Sequence, residues 1–189
     1  MIRSIEELLR GPTDVDSKNN IWGIRKQTLK VPGTTTDGAT AYAVGDAVGT
    51  GQRVEGLGGP NRAFLLLDSF LVSDVAVPAT SSSAVNLHFF DEKILTAQTD
   101  NGAISTDGRE RLTHVGAVQY SGQQGFALAT SGLGMVQTAL SVSPRKFLTH
   151  KDGWLWMQLV ANGAFTLGSS AALYVVLLYQ FYNPNGIAA

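Results

Sequence analysis

The strongest hydrophobic pattern lies near the end of the chain. Residues 171–182 read Ala-Ala-Leu-Tyr-Val-Val-Leu-Leu-Tyr-Gln-Phe-Tyr, and their β-branched and aromatic side chains favour a strand. Apolar residues fall on both sides of this strand, and Gln180 is the only clearly polar one. One face can pack on the protein's own core, whereas the other needs a second layer or another subunit. The pattern therefore predicts a β-rich building block that packs against something.

Strand patterns separated by turn residues fill most of the chain from residue 27 onward. They are short, and no long interior helix pattern interrupts them. About eight to ten strands at this spacing predict an all-β fold, an antiparallel β-sandwich or jelly-roll-like domain, rather than a βαβ fold. The predicted strands are 27–31, 40–44, 47–49, 62–73, 84–90, 114–120, 126–129, 145–148, 154–161 and 171–182.

The N-terminal region has a different pattern. Four apolar residues among the first nine recur at helical spacing, and Gly11 and Pro12 then end the run. We interpret residues 1–25 as a short helical or extended arm and residues 26–189 as the sandwich domain. Two roles remain open for the arm, because its helix can dock on its own domain or reach a neighbouring subunit.

Composition and charge narrow the possible partners. The chain has 189 residues, which fits one domain with a terminal extension. Charged residues make up only 15% of the chain, well below the usual quarter, and the formal net charge is −1. This balance does not support broad electrostatic binding to nucleic acid or to an anionic membrane. A weakly charged surface is compatible with extensive contact between subunits.

The absence of cysteine excludes disulfides, thiolate metal sites and a cysteine nucleophile. The first ten residues lack the continuous apolar stretch of a signal peptide. The longest apolar run is too short for a transmembrane helix, which needs about 20 residues. We therefore expect synthesis in a cytoplasm without secretion.

Catalytic motifs are weak or incomplete. His88, His114 and His150 are scattered along the sequence, and no HExxH pattern is present. The apolar strand around His88 favours a sheet histidine over a metal ligand. Ser131 lacks the glycines of G-x-S-x-G, and the glycine-rich segment 49–51 completes no nucleotide-binding motif and predicts a turn. We expect no catalytic, cofactor-binding or metal-binding residues, and no cofactor.

A calcium site is a weaker alternative. Asp100, Asn101 and Asp107 could share an ion if their segment folded back on itself. Their spacing does not match an EF-hand loop. Asp and Asn beside Gly are also typical of turns, because their side chains bond the local backbone and Gly accepts a positive φ. Turn chemistry is the preferred interpretation.

The tryptophans also allow two interpretations. Trp154 and Trp156 share one face of a predicted strand and, together with Trp22, could form a surface on which a sugar stacks. The surrounding residues are otherwise aliphatic. Burial in the core or in an interface is therefore favoured for these side chains.

Several short motifs follow one another in a recognisable order. Residues 41–49 read Ala-Tyr-Ala-Val-Gly-Asp-Ala-Val-Gly, and 85–91 form an apolar strand pattern that ends in Phe-Asp. Gly-Ala-Val-Gln-Tyr follows at 116–120, and a small-residue hairpin at 161–166 precedes the final hydrophobic strand. This order resembles that of virion structural proteins of tailed bacteriophages, among them head decoration (cement) proteins.

The resemblance implies a non-enzymatic protein of the virion, made in the host cytoplasm and bound on the capsid surface. Its partners would be the major capsid protein and further copies of itself, arranged as a homotrimer. The resemblance does not decide between head and tail. A receptor-binding or carbohydrate-binding tail component is the main alternative. An enzyme is less favoured, because it needs clustered histidines or carboxylates and the sequence shows neither. A major capsid protein is also less favoured, because its fold needs a long spine helix and the sequence has no such pattern.

The candidate interface residues are apolar or aromatic side chains with no evident place in the core. They come from the arm, from the tryptophan segments and from the second face of the terminal strand. They are Ile5, Leu8, Leu9, Trp22, Trp154, Trp156, Tyr174, Val176 and Tyr182.

Overall fold

The structure of the protein is a computed structural model, in which twelve β-strands and one short α-helix are described. The described residues are 25–34, 40–57, 63–73, 85–94, 99–120, 126–127, 135–138, 145–148, 152–167 and 172–181. The elements are β1 (Arg25–Lys30), β2 (Ala41–Tyr42), β3 (Ala47–Val54), β4 (Ala63–Ser73), β5 (Val85–Phe90), α1 (Gly108–Leu112), β6 (His114–Tyr120), β7 (Phe126–Ala127), β8 (Met135–Thr138), β9 (Arg145–Leu148), β10 (Leu155–Ala161), β11 (Phe165–Thr166) and β12 (Leu173–Phe181).

The strands pair as nested antiparallel partners. β1 pairs with β12, β3 with β10, β4 with both β8 and β9, and β5 with β6. The first strand therefore meets the last, and each following strand meets one that lies closer to the middle of the chain. This is the order of one long antiparallel hairpin that has been rolled up, which is a jelly roll. The predicted fold class is confirmed.

Two sheets form the layers of the sandwich. Sheet 1 has the order β1-β12-β4-β8-β7, with β9 also paired to β4, and sheet 2 has the order β3-β10-β5-β6. β2 and β11 form a small sheet of their own. In β12, Leu173, Val175 and Leu177 are buried toward the core. Because successive side chains of a strand point to opposite faces, the residues between them form the outer face of sheet 1.

An aromatic cluster joins the two sheets. The ring of Phe89 in β5 lies edge-on to that of Phe147 in β9, with 5.1 Å between the centroids. Phe147 also stacks on Phe64 in β4 at 5.5 Å. All three side chains are buried. Burial of one phenylalanine contributes about 1.5–3 kcal/mol, so this cluster is a substantial part of the core.

One buried hydrogen bond also crosses between the sheets. The hydroxyl groups of Tyr120 in β6 and Ser69 in β4 bond each other, and Ser69 Oγ donates to the carbonyl of Val176 at 3.2 Å. Burial raises the pKa of Tyr120, so its hydroxyl stays protonated and available as a donor. A buried hydroxyl without a partner costs about 1–3 kcal/mol. The bond therefore favours one alignment of β4 against β6.

Gly116 is required by the close approach of Phe147. A Cβ atom at position 116 would lie 2.6 Å from Phe147 Cε1, which is inside van der Waals contact. Two and four residues further along β6, Val118 and Tyr120 are buried. The Gly-Ala-Val-Gln-Tyr motif at 116–120 therefore has a packing explanation, because the glycine admits the ring and the two larger residues fill the core.

The Tyr-x-x-Gly-Asp motif is a turn between β2 and β3. Asp46 N donates to the carbonyl of Ala43 at 3.1 Å, and Ala43 N donates to Asp46 Oδ2 at 2.7 Å. Gly45 has a φ of 91°, as the third residue of a type II turn requires. This turn explains why the strand predicted at 40–44 contains only Ala41 and Tyr42.

The glycine segment 49–51 is a correction to the sequence-based prediction. It lies within β3 rather than in a turn that ends the strand. The pairing of β10 with β3 shifts register between Met157 and Leu159, where partners change from Gln52 to Val48. Gly49, with a φ of 70°, allows this bulge. The glycines thus bend a continuing strand instead of reversing it.

Three short elements were missed from the sequence. β8 has four residues and β11 has two, too few for a clear alternation. α1 begins where a turn was expected, and Asp107 is its N-cap. Asp107 Oδ1 accepts from Glu110 N at 2.7 Å, and Glu110 Oε2 accepts from Asp107 N at 3.1 Å. The Asp-x-x-Glu spacing of a capping box was the signal that could have predicted this helix.

No helix within the described ranges is long and apolar enough to cross a membrane. β1 begins at Arg25, and residues 1–24 lie outside the described residues. The division into an arm of 1–25 and a sandwich domain of 26–189 stays a prediction.

Gly116→Ala should lower the thermal stability, because the added methyl group forces the Phe147 ring out of its packed position. Overpacking of this kind costs about 1–3 kcal/mol. Gly108→Ala is the matched control, since a Cβ at position 108 meets nothing within 4 Å. Urea unfolding of both variants measures the difference. Equal unfolding midpoints for the two variants would contradict the packing role of Gly116.

Candidate functional site

The nine candidate interface residues separate into three groups. Trp154 and Trp156 lie on the outer side of sheet 2, whereas Tyr174 and Val176 lie on the outer side of sheet 1. The structure therefore does not bring these two pairs together, because they occupy opposite faces of the sandwich. The candidates outside the described residues are Ile5, Leu8, Leu9, Trp22 and Tyr182.

The outer face of sheet 1 carries a band of apolar side chains, which we call the apolar stripe. Its members alternate with the core residues of β4 and β12. In the strand register Val72 lies opposite Tyr174 and Phe70 opposite Val176, whereas Leu178 lies opposite Asp68 and Leu65 opposite Gln180. All are half-buried except Val176, which is buried. The apolar stripe consists of Leu65, Phe70, Val72, Tyr174, Val176 and Leu178.

Polar residues of β1 border the apolar stripe. Lys26 pairs with Leu178, Thr28 with Val176 and Lys30 with Tyr174, and these three β1 residues are exposed. An apolar centre with a polar, solvated rim is the usual anatomy of a protein interface. Lysines on an edge strand also oppose unwanted strand pairing.

A single chain therefore covers part of the apolar surface on the two faces of β12. Its inner face is buried in the sandwich, as predicted. On the outer face Val176 is buried by the chain itself, while Tyr174 and Leu178 are only half-buried. Of these three outer-face side chains, one is thus buried by the described part of the chain, and the other two stay partly exposed.

The two described tryptophans lie beside cations on sheet 2. The guanidinium carbon of Arg53 lies 4.9 Å from the centre of the Trp154 ring, and Lys93 Nζ lies 5.5 Å from that of Trp156. Both tryptophans are half-buried. The cations occupy one face of each ring, where a sugar would otherwise stack. The carbohydrate-binding alternative stays a prediction.

Trp156 also packs across a glycine. A Cβ at Gly51 would lie 2.5 Å from Trp156 Nε1 and 2.8 Å from Gln158 Oε1. The bare backbone at Gly51 therefore lets the indole lie flat over β3. Gln158 is 1% exposed although it points away from the core, and its Nε2 donates to the carbonyls of Gly49 and Leu159. The outer face of sheet 2 is thus ordered by packing and hydrogen bonds.

Two of the three histidines lie together on this face. His88 Nδ1 is 3.1 Å from His114 Nε2, and the ring of Phe90 lies 5.2 Å from that of His114 and 6.5 Å from that of His88. Burial, and to a smaller extent the charge of His114, lower the pKa of His88 to about 4. His88 is therefore neutral at physiological pH. The sequence gives no sign of this pair, because only the pairing of β5 with β6 brings the two residues together.

The carboxylate of Asp100 links β2 to β3. Its Oδ1 accepts from Tyr42 Oη at 2.8 Å and from Gly49 N at 2.5 Å. Asn101 follows with a φ of 59°, as expected for a turn, and Asp107 is used in the cap of α1. No group of three or more histidine, aspartate or glutamate side chains within the described ranges is arranged to hold a metal ion.

The β4 members of the apolar stripe were not among the sequence candidates. Leu65, Phe70 and Val72 belong to a strand that is apolar on both sides, as β12 is. The same patterning rule that selected Tyr174 and Val176 could have selected them. The sequence did not reveal that β4 and β12 are neighbours, so it could not show that the two sets form one surface.

Comparison with known proteins gives only distant similarity. No family model matches the sequence, and no curated protein matches it significantly. A chain of the native virion of Kashmir bee virus at neutral pH is 11% identical, with 97% of this chain and 80% of that chain covered and a TM-score of 0.32. A chain of the full particle of Israeli acute paralysis virus heated to 63 degrees is 11% identical over 97% and 83%, with a TM-score of 0.28.

A chain from the structure of Triatoma virus is 14% identical, with 97% and 79% covered and a TM-score of 0.22. These scores are too low to establish a shared fold with any of the three. The strand pairing alone therefore defines the class, and the chain is a jelly-roll β-sandwich protein.

The stability of the protein should fall as the pH is lowered from about 6.5 to about 4. The pKa of His88 is near 6.5 in an unfolded chain and about 4 in the folded protein, so the unfolded state binds more protons in this range. His88→Asn should reduce the loss of unfolding free energy between pH 7 and pH 5, measured by urea titration. His150→Asn is the control for removal of a histidine. An unchanged pH dependence in His88→Asn would contradict the prediction.

Proposed function

We propose that this chain is a non-enzymatic virion structural protein, with the role of a capsid decoration or cement protein. The observation that carries the proposal is a jelly roll whose outer sheet face keeps a half-exposed apolar stripe. Jelly rolls are used repeatedly for viral capsid domains, and also for lectins and cupins. The order of motifs that resembles tailed-phage virion proteins favours the first of these uses.

The apolar stripe supports a role in assembly. Its central side chains form one band across β4 and β12, with lysines at the β1 border and with Asp68 and Gln180 toward Leu65. Scattered single apolar residues on a surface need no explanation, whereas a contiguous band with a polar rim suggests a contact site. We propose that the partners of this band are further copies of the chain, in a homotrimer, and the major capsid protein.

Repetition explains how such a protein would stabilise a shell. A standard specific interface buries about 1,600 Å² in total. Each contact made by a small domain is modest, but many copies on a lattice engage neighbouring capsid subunits at the same time. The effective concentration of the second contact is then high, and the assembly is held by avidity. The protein would accordingly lie on the capsid surface of the virion.

Tyr174→Asp should weaken assembly while leaving the fold intact. The residue is half-buried in the monomer and lies opposite the exposed Lys30 of β1. In an interface the aromatic contact would be lost and the new carboxylate would lose its water, which one lysine offsets only in part. Such a change costs about 2–4 kcal/mol, which is roughly thirtyfold or more in affinity. Sedimentation analysis should show a shift toward monomer, and binding to expanded capsids of the same virus should fall in parallel.

Val44→Asp is the matched control, because Val44 is apolar, 68% exposed and outside the apolar stripe. It should leave both the oligomeric state and capsid binding unchanged. Thermal melting of the two variants distinguishes lost assembly from lost folding. A wild-type protein that is monomeric at high concentration and does not bind capsids would overturn the proposal.

A further inference from the structure

The pairing of β5 with β6 brings together two histidines that are distant in sequence. His88 Nδ1 and His114 Nε2 are 3.1 Å apart. His88 pairs with Ala117 across the strands, and Phe90 pairs with His114. The intervening register contains a shift between Phe89 and Phe90, so β6 has one extra residue there. The local structure at this shift decides which face His114 occupies.

The register shift changes the direction of His114. In a regular strand, His114 and Ala117 would point to opposite faces, because they are separated by an odd number of positions. The extra residue in β6 reverses this parity and places His114 on the outer face with His88. Bulges are frequent where a strand re-aims a side chain next to a functional site. The histidine pair is therefore a product of the fold rather than of simple alternation.

The separation of the two nitrogen atoms fits a shared metal ion. Two Zn–N bonds of about 2.0–2.1 Å, at an N–Zn–N angle between the octahedral and the tetrahedral value, place the nitrogens about 2.8–3.4 Å apart. The observed distance of 3.1 Å lies within this interval. The two nitrogens face each other in a hydrogen bond, so one of them carries a proton. For both to bind an ion, that ring would take its other tautomer, with the proton on its second nitrogen, and the exposed His114 ring would rotate to turn both lone pairs toward the ion.

The surroundings keep the two rings available. His114 is exposed and His88 is half-buried, so an ion can reach both from solvent. Phe90 is buried beside both rings and limits their movement. The outward residues directly paired with His88, Gln158 and Ala117, carry no charge that would repel a cation.

We propose that His88 Nδ1 and His114 Nε2 form a surface site for a divalent transition-metal ion of the zinc class. Among the described residues, no cluster of three or more such side chains holds a metal, so this site has two protein ligands and water in its remaining positions. The site is open and exchangeable, unlike a closed structural zinc site with four protein ligands. The site does not depend on the proposed role in the virion.

Isothermal titration of the full-length protein with zinc chloride at pH 7.5 tests the site. We expect saturation at one ion per chain. His88→Asn and His114→Asn should each weaken binding by at least about tenfold. His150→Asn is the control, because it removes a histidine outside the proposed pair, and its affinity should equal that of the wild type.

Thermal stability provides a second measurement of the same site. Zinc should also raise the melting temperature of the wild type but not of the double variant His88→Asn/His114→Asn. No binding at millimolar zinc, or binding of equal strength by the double variant, would overturn the proposal.

Discussion

The pairing of β1 with β12 is the constraint on which the rest of the structure depends. It joins the start of the described chain to its end, with Arg25 opposite Tyr179, and every other principal pair is nested inside it. β12 is thereby held between β1 and β4, so its backbone is hydrogen-bonded on both edges. Its inner residues then close the core against sheet 2. Contacts between such distant segments form slowly, because the chain between them must lose conformational entropy before the contacts can stabilise the fold.

The two outer faces that follow from this pairing differ in chemistry. Sheet 1 presents the apolar stripe beside the lysines of β1, which is suited to contact with another protein surface. Sheet 2 presents half-buried tryptophans under cations and the histidine pair, all supported by packing over Gly51 and Phe90. A subunit with unlike faces can use one for assembly and leave the other for a ligand or for solvent.

Glycine positions show how the jelly roll reaches its shape. Gly116 makes room for Phe147 between the sheets, and Gly51 makes room for Trp156 on the outside. Gly49 adopts a positive φ within β3, where the register against β10 shifts. The unusual number of glycines suggested turns from the sequence. In the structure, several of them instead allow bulges and close contacts inside strands.

The sequence by itself determined the all-β class, most strand positions and the two-sided character of β12. These features depend on the pleat of the single strand, which makes successive side chains point to opposite faces whichever strands lie beside it. Tertiary structure alone decided that Tyr174 adjoins Val72, that Trp154 and Trp156 lie on the opposite side from Tyr174, and that His88 meets His114. Strand partners and registers arise from long-range hydrogen bonds and core packing. A bulge of one residue reverses the direction of a side chain, and the local sequence pattern does not reveal where such a bulge occurs.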